Sequence, residues 1–251
     1  MTAEAIIPEV LPPMPGLLAH CGAELMTRQN LLDLSTPEGT DTHRPVAHAA
    51  LVQTLIEALA FRNLEVVEDQ YALTKDGLRM FGTLALNVEH SGTRVVIGLR
   101  NSHDKSFTIG LTVGYKVFVC DNLAFHGDFE AVSKKHSKRI NIQEVITLGV
   151  DRMQRNFQPM MRQVDAWQGF DLSDQKAKLV IYEAFIGQQL DVPKHLAGSV
   201  HDHYFQPQYP EFEPRTMWSL SNAFTSAFKA LDPVPMMKAT AKLAPFLEAW
   251  Q

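Results

Sequence analysis

The sequence predicts an α+β protein: an antiparallel β-meander of about five strands with one covering helix, followed by a mostly helical C-terminal region. Three observations lead there. Between Phe107 and Gly114, apolar residues (Phe107, Ile109, Leu111, Val113) alternate with small ones (Thr108, Gly110, Thr112, Gly114) at a period of two. Turn signals at Lys75-Asp76-Gly77 and His90-Ser91-Gly92 cut the preceding stretch into strand lengths. From Gln143 onward the apolar spacing changes to the three-and-four pattern of helices.

Taken in order, residues 1–16 are proline-rich and read as an extended arm. Thr27-Arg28-Gln29-Asn30 is a cap candidate for a short helix carrying Leu31 and Leu32. Residues 1–43 thus form an N-terminal arm, 44–140 a helix-plus-sheet core, and 141–251 a helical region packed on that core. Pro45 opens a helix to about Arg62, whose Leu51, Leu55 and Leu59 give one broad apolar face. Strands follow at Leu64 to Leu73, Leu78 to Val88 and Val95 to Leu99. After the period-two stretch, Tyr115 to Cys120 reads as a further strand, with Gly114 as the turn residue of a tight hairpin. A long amphipathic helix runs to about Trp167, with a kink or break expected at Pro159. Ser173 caps the next helix, His201 to Pro214 reads as an aromatic and proline-rich loop, and two more helices carry Leu220, Phe224, Phe228 and Met236 to Leu247.

In such a meander the first and third central strands run the same way. Arg100 and Asn101, the turn from Ser102 to Lys105, and Cys120, Asp121 and Asn122 then meet at one edge of the sheet. The bare side made by Thr108, Gly110, Thr112 and Gly114 requires a close approach, by a packed helix or by a ligand.

Composition narrows the classes. At 251 residues, with 45% hydrophobic and 20% charged content, the chain holds a substantial core of ordinary folded type. A net charge of −5 excludes a globally basic nucleic-acid coat while allowing a local basic patch. Cys21 and Cys120 match no metal spacing and suit a reducing, cytoplasmic compartment. Prolines at 8, 12, 13 and 15 interrupt any signal-peptide core, and no run reaches the roughly 18 apolar residues of a membrane span.

Several constellations carry chemistry. His103 and Asp104 near Asp121 suit a divalent metal if they converge, and otherwise Asn101, Ser102, Asp104, Asp121 and Asn122 are turn formers that satisfy local backbone groups. Cys120 beside His103 or His126 has the composition of a nucleophile–base pair, and His201-Asp202-His203 that of a chelating triplet. The dense basic cluster holds Lys134, Lys135, Lys138 and Arg139, which would engage phosphates, with Arg100, Lys105 and Lys116 extending the patch. There is no glycine-rich phosphate loop and no Gly-x-Ser-x-Gly elbow.

Three longer stretches carry a resemblance. Gly98-Leu99-Arg100-Asn101-Ser102-His103-Asp104-Lys105-Ser106, then Val119-Cys120-Asp121-Asn122-Leu123-Ala124-Phe125, then Lys135-His136 resemble the phage/plasmid-like proteins grouped as domain-of-unknown-function family 932. Pro45-Val46-Ala47-His48, Asp76 to Gly82 and Trp218-Ser219-Leu220-Ser221-Asn222-Ala223-Phe224-Thr225 fit the same pattern, with Ser137 standing where threonine is expected. The resemblance implies a role in DNA metabolism or in conflict between host and mobile element. A helix, a meander and a basic helix also look like the core of single-strand-annealing recombination proteins. The expectation is a non-enzymatic nucleic-acid binder that forms homo-oligomers and needs no cofactor. The alternatives are a metal-dependent enzyme using His103, Asp104 and Asp121, and a non-catalytic anti-defence or interaction protein.

Overall fold

The computed structural model describes residues 24–120, 122–125, 132–134 and 141–251. Its elements run β1 (Glu24–Met26), α1 (Arg28–Leu32), α2 (His48–Ala60), β2 (Val66–Leu73), β3 (Arg79–His90), β4 (Thr93–Ser102), β5 (Ile109–Val117), β6 (Leu123–Phe125) and β7 (Val132–Lys134). Five helices complete the chain: α3 (Ile142–Gln168), α4 (Asp174–Phe185), α5 (Leu196–Phe205), α6 (Met217–Phe228) and α7 (Pro233–Glu248). The class is α+β, as expected. The sheet has seven strands, paired antiparallel in the order β1-β2-β3-β4-β5-β6, with β7 also on β5.

Each turn follows local chemistry. Gly77 (φ 68°) and Gly92 (φ 76°) take the left-handed conformation that closes the two hairpins. Thr27 and Asn30 form a reciprocal capping box before α1, and Ser173 Oγ accepts the Lys176 amide before α4.

Register puts Met80, Leu84, Ile97, Leu99, Leu111, Val113 and Tyr115 on one face of the sheet. That face packs into a single hydrophobic cluster with Leu51, Leu55 and Leu59 of α2, Ile146, Val150 and Met153 of α3, and Phe224 and Phe228 of α6. Each fully buried leucine there contributes about 1.5–3 kcal/mol. The Arg62 guanidinium locks α2 to α3 by meeting Asp151 at 2.7 Å and the Thr147 carbonyl at 3.3 Å. Asp165 of α3 accepts from His90 at 2.8 Å and Ser91 at 2.7 Å, which fixes the β3–β4 hairpin. α6 is buried on all sides, so it forms the centre of the helical region rather than a surface helix.

Three expectations are corrected. β5 does not turn at Gly114: it continues to Val117, and the next strand is β6. Gly114 is needed because a Cβ there would lie 1.9 Å from the Ala124 carbonyl oxygen of the neighbouring strand. On the bare side of β5 the Arg100 side chain lies over Gly110, the Phe125 ring and Thr112 crowd Gly98 of the neighbouring β4, and Met237 of α7 packs beside Phe81 on the same face. Residues from His201 to Phe205 are the end of α5 rather than a loop, because Leu196, Val200 and Tyr204 form a buried stripe. α3 runs unbroken through Pro159.

Candidate functional sites at the two ends of the sheet

The single polar edge expected from the sequence is divided. Arg100 pairs with Gly110 at one end of β4–β5, whereas Thr93 pairs with Val117 at the other, and Cys120 and Asn122 follow Val117. Seven residues of antiparallel strand, at about 3.4 Å each, separate those ends by roughly 24 Å. Asn101 to Lys105 therefore lie at the opposite end from Cys120 and Asn122, the described neighbours of the third residue in the His103, Asp104 and Asp121 metal reading. Asp121 itself lies outside the described residues, as do His126, Lys135, Lys138 and Arg139. Among the described residues, no group of three or more His, Cys, Asp or Glu side chains is arranged to hold a metal.

The first end is built from three sequence-distant segments. Asn101 Nδ2 donates to the Val46 carbonyl at 2.8 Å and to His48 Nδ1 at 2.9 Å. His48 therefore carries its proton on Nε2, which donates to the Gly77 carbonyl at 3.1 Å. The His103 ring stacks on His48 at 3.9 Å, and its Nε2 donates to the same Val46 carbonyl at 2.9 Å. His43 Nε2 donates to the His103 carbonyl at 3.2 Å. Burial and the neighbouring His43 push the His103 pKa down, against the Val46 hydrogen bond that raises it, so the ring is neutral at pH 7. Two buried acceptors, Asn101 Oδ1 and His103 Nδ1, have no partner among the described residues.

Beyond His103 the chain makes a pinned turn. Ser102 Oγ donates to the Phe107 carbonyl at 2.8 Å and accepts the Phe107 amide at 3.2 Å. Asp104 accepts the Ser106 amide at 3.0 Å and the Arg79 guanidinium at 2.7 Å. Burial opposes ionisation of Asp104, but the Ser106 hydroxyl and amide together with Arg79 hold its pKa down at about 2. These contacts carry Lys105 into solvent with φ at 66°. Arg100 lies beside the turn, its guanidinium 5.7 Å from the Phe107 ring centre. β7 pairs its Lys134 backbone with Ile109, so the basic segment begins at this same end.

The far end joins the β5–β6 turn to the helical region. Asn122 Nδ2 donates to Asn222 Oδ1 at 3.1 Å and to Ser226 Oγ at 3.0 Å, and Ser226 Oγ donates back to Asn122 Oδ1 at 3.1 Å. Lys229 Nζ holds the Cys120 carbonyl at 2.5 Å. A cavity of about 170 Å³ opens here, lined by Cys120, His203, Tyr209, Phe212, Ser226 and Lys229 among others. Cys120 is thus far from His103, with which the sequence suggested pairing, and shares the cavity with His203 instead. Burial and Lys229 push the His203 pKa down, with Asp202 acting in the opposite sense. His201 bonds Asp202 at 3.1 Å and its ring lies 4.6 Å from Phe205, while His203 faces the cavity, so the triplet does not chelate as a unit.

Sequence reasoning missed His43 and Lys229, and it marked His203 only as part of the His201-Asp202-His203 triplet. Val46, His48 and Arg79 had a signal in the Pro45 to His48 and Asp76 to Gly82 stretches, but not their roles.

These features define an α+β protein whose curled antiparallel sheet ends in two polar clusters, each tying a strand end to helices. Residues 41–241 match the family model described as Domain of unknown function (DUF932), and the chain belongs to that family. No curated protein and no solved structure matches the chain.

Proposed function

We propose that the chain is a non-enzymatic nucleic-acid-binding protein of phage/plasmid type that binds or anneals single strands and acts as a homo-oligomer. The observation that supports this is positional. The pinned turn presents Lys105 outward, Arg100 lies beside it, and β7 brings the start of the segment holding Lys134, Lys135, Lys138 and Arg139 to the same end. Arg100 and Lys105 at one end of an otherwise acidic protein attract a phosphate backbone locally, and a basic segment that starts beside them would add to that attraction. The rigid turn lowers the ordering cost of binding, since its backbone conformation is already fixed by Ser102 and Asp104.

Fluorescence anisotropy with labelled single- and double-stranded oligonucleotides at two salt concentrations tests the reading. Affinity is expected to fall steeply as salt rises. It is expected to be lost in a variant with Lys134, Lys135, Lys138 and Arg139 changed to alanine, and weakened about tenfold in Arg100→Ala/Lys105→Ala. Absence of binding at low salt overturns the proposal.

A further inference from the structure

We propose that the cavity at the far end of the sheet, between the β5–β6 turn, α5 and α6, is a binding site for a small oxyanion: a carboxylate or a phosphate monoester. The inference is independent of the nucleic-acid reading, whose described residues Arg100 and Lys105 lie at the opposite end.

Three features argue for it. The first is unspent hydrogen-bonding capacity. Asn122, Asn222 and Ser226 are consumed by one another. The side chains of His203, Gln208 and Tyr209 line the same cavity and make no hydrogen bond to the described residues. An amide N–H, a phenolic O–H and an imidazole N–H are the donors with which proteins hold oxyanions. The second is charge. Lys229 lines the cavity while its ammonium holds the Cys120 carbonyl, and among the described residues that line it none is a carboxylate. The field of Lys229 acts on His203 as well as on any occupant, and disfavours a second positive charge there. The third is size and wall chemistry. About 170 Å³ accommodates a molecule of one ring or a few carbon atoms, with the edge-on pair Tyr209 and Phe212, 6.1 Å apart, as its apolar wall. An anion seated there would meet Lys229 and accept from Tyr209 and Gln208, while its carbon part packed on Phe212.

Isothermal titration calorimetry on the full chain tests this with inorganic phosphate, acetate and benzoate as free anions. Twelve-residue oligonucleotides with and without a 5′-phosphate are the strand-borne counterpart. The expected result is saturable binding of at least one free anion, one per chain, or tighter binding of the 5′-phosphorylated strand than of its unphosphorylated twin. Gln208→Ala/Tyr209→Phe and Lys229→Met should weaken the free-anion binding at least tenfold or abolish the preference for the phosphorylated strand, and Arg100→Ala/Lys105→Ala should leave free-anion binding unchanged. Preference for the 5′-phosphorylated strand over its unphosphorylated twin assigns the oxyanion to a nucleic-acid end, and saturation by free anions alone assigns it to a small molecule. Gln208 and Tyr209 lie outside the buried network, so their double variant tests the site even if Lys229→Met fails to fold. No saturable binding of any free anion together with no preference for the 5′-phosphate, or free-anion binding or a 5′-phosphate preference that the Gln208/Tyr209 variant leaves intact, overturns the proposal.

Discussion

The two ends of the sheet use similar residues to opposite effect. At the Asn101 end, three histidines, an asparagine and a serine direct donors onto main-chain carbonyls, and an aspartate accepts a main-chain amide. The product is a rigid turn with cations displayed around it. At the Asn122 end, side chains bond one another, and the space between them stays open with His203, Gln208 and Tyr209 unspent. A polar cluster is therefore read as scaffold or as site by where its donors go, not by its composition.

Substitutions at the two ends test that distinction, and the largest effect is expected at Gly114. Gly114→Ala drives a methyl into the Ala124 carbonyl backbone, which cannot yield, and should destabilise the protein by more than about 3 kcal/mol in urea unfolding. Gly110→Ala meets only the movable Arg100 side chain, so about 1 kcal/mol or less is expected there. Equal costs at the two positions would refute the assignment of backbone closeness to the far end alone.

Next in size is the asparagine pair. Asn122→Ala strands partners on Asn222 and Ser226 and should cost about 2–3 kcal/mol. Asn101→Ala should cost about 1 kcal/mol, because its Oδ1 already lacks a partner and the Val46 carbonyl keeps His103. A reversed order would break the comparison.

Acid tests the Asn101 end through its buried histidine, and the lowered His203 at the other end acts in the same sense. The folded His103 pKa lies below its unfolded value of about 6.5, so the unfolded chain takes up the proton first. Its stabilising contribution is complete above about pH 6.5 and is lost as pH falls below that toward the lowered folded value. A drop in melting temperature between pH 7.5 and 5.5 is expected, and His103→Gln should shrink it.

The smallest effect is a gain. Lys105 stands at φ 66°, so Lys105→Gly should stabilise the fold by about 0.5–1 kcal/mol while weakening oligonucleotide binding. A parallel loss of both would mean that the turn, rather than its charge, matters to binding.

Much of the fold was legible in the sequence. The hairpin glycines, the Thr27 and Ser173 caps and the period-two stretch of β5 depend on neighbours in sequence, and those elements formed as expected. Gly114 was misread because glycine in a strand looks like a turn, and the carbonyl that requires it belongs to β6, ten residues on. The His201–Phe205 stretch was misread because its helix depends on burial of Val200 and Tyr204 among residues remote in sequence. The sites show the same limit. Asn101 to Asp104 stood out as turn chemistry, but His203 and Lys229 meet Cys120 through tertiary packing that no local pattern announces.

The margin of the sheet at β2 has a bearing on self-association. β1 covers only Tyr71 to Leu73, so among the described residues the stretch from Val66 to Gln70 has no strand beside it on that side. Such a margin invites strand addition from another chain. Here it carries a register irregularity between Val66 and Glu68, and the carboxylates Glu68 and Asp69 are bound to Lys116 and Arg28. An incoming strand would have to pair with a bent backbone flanked by fixed side chains. The border is thus protected against indiscriminate aggregation, and assembly through it would admit only a partner shaped to that bend.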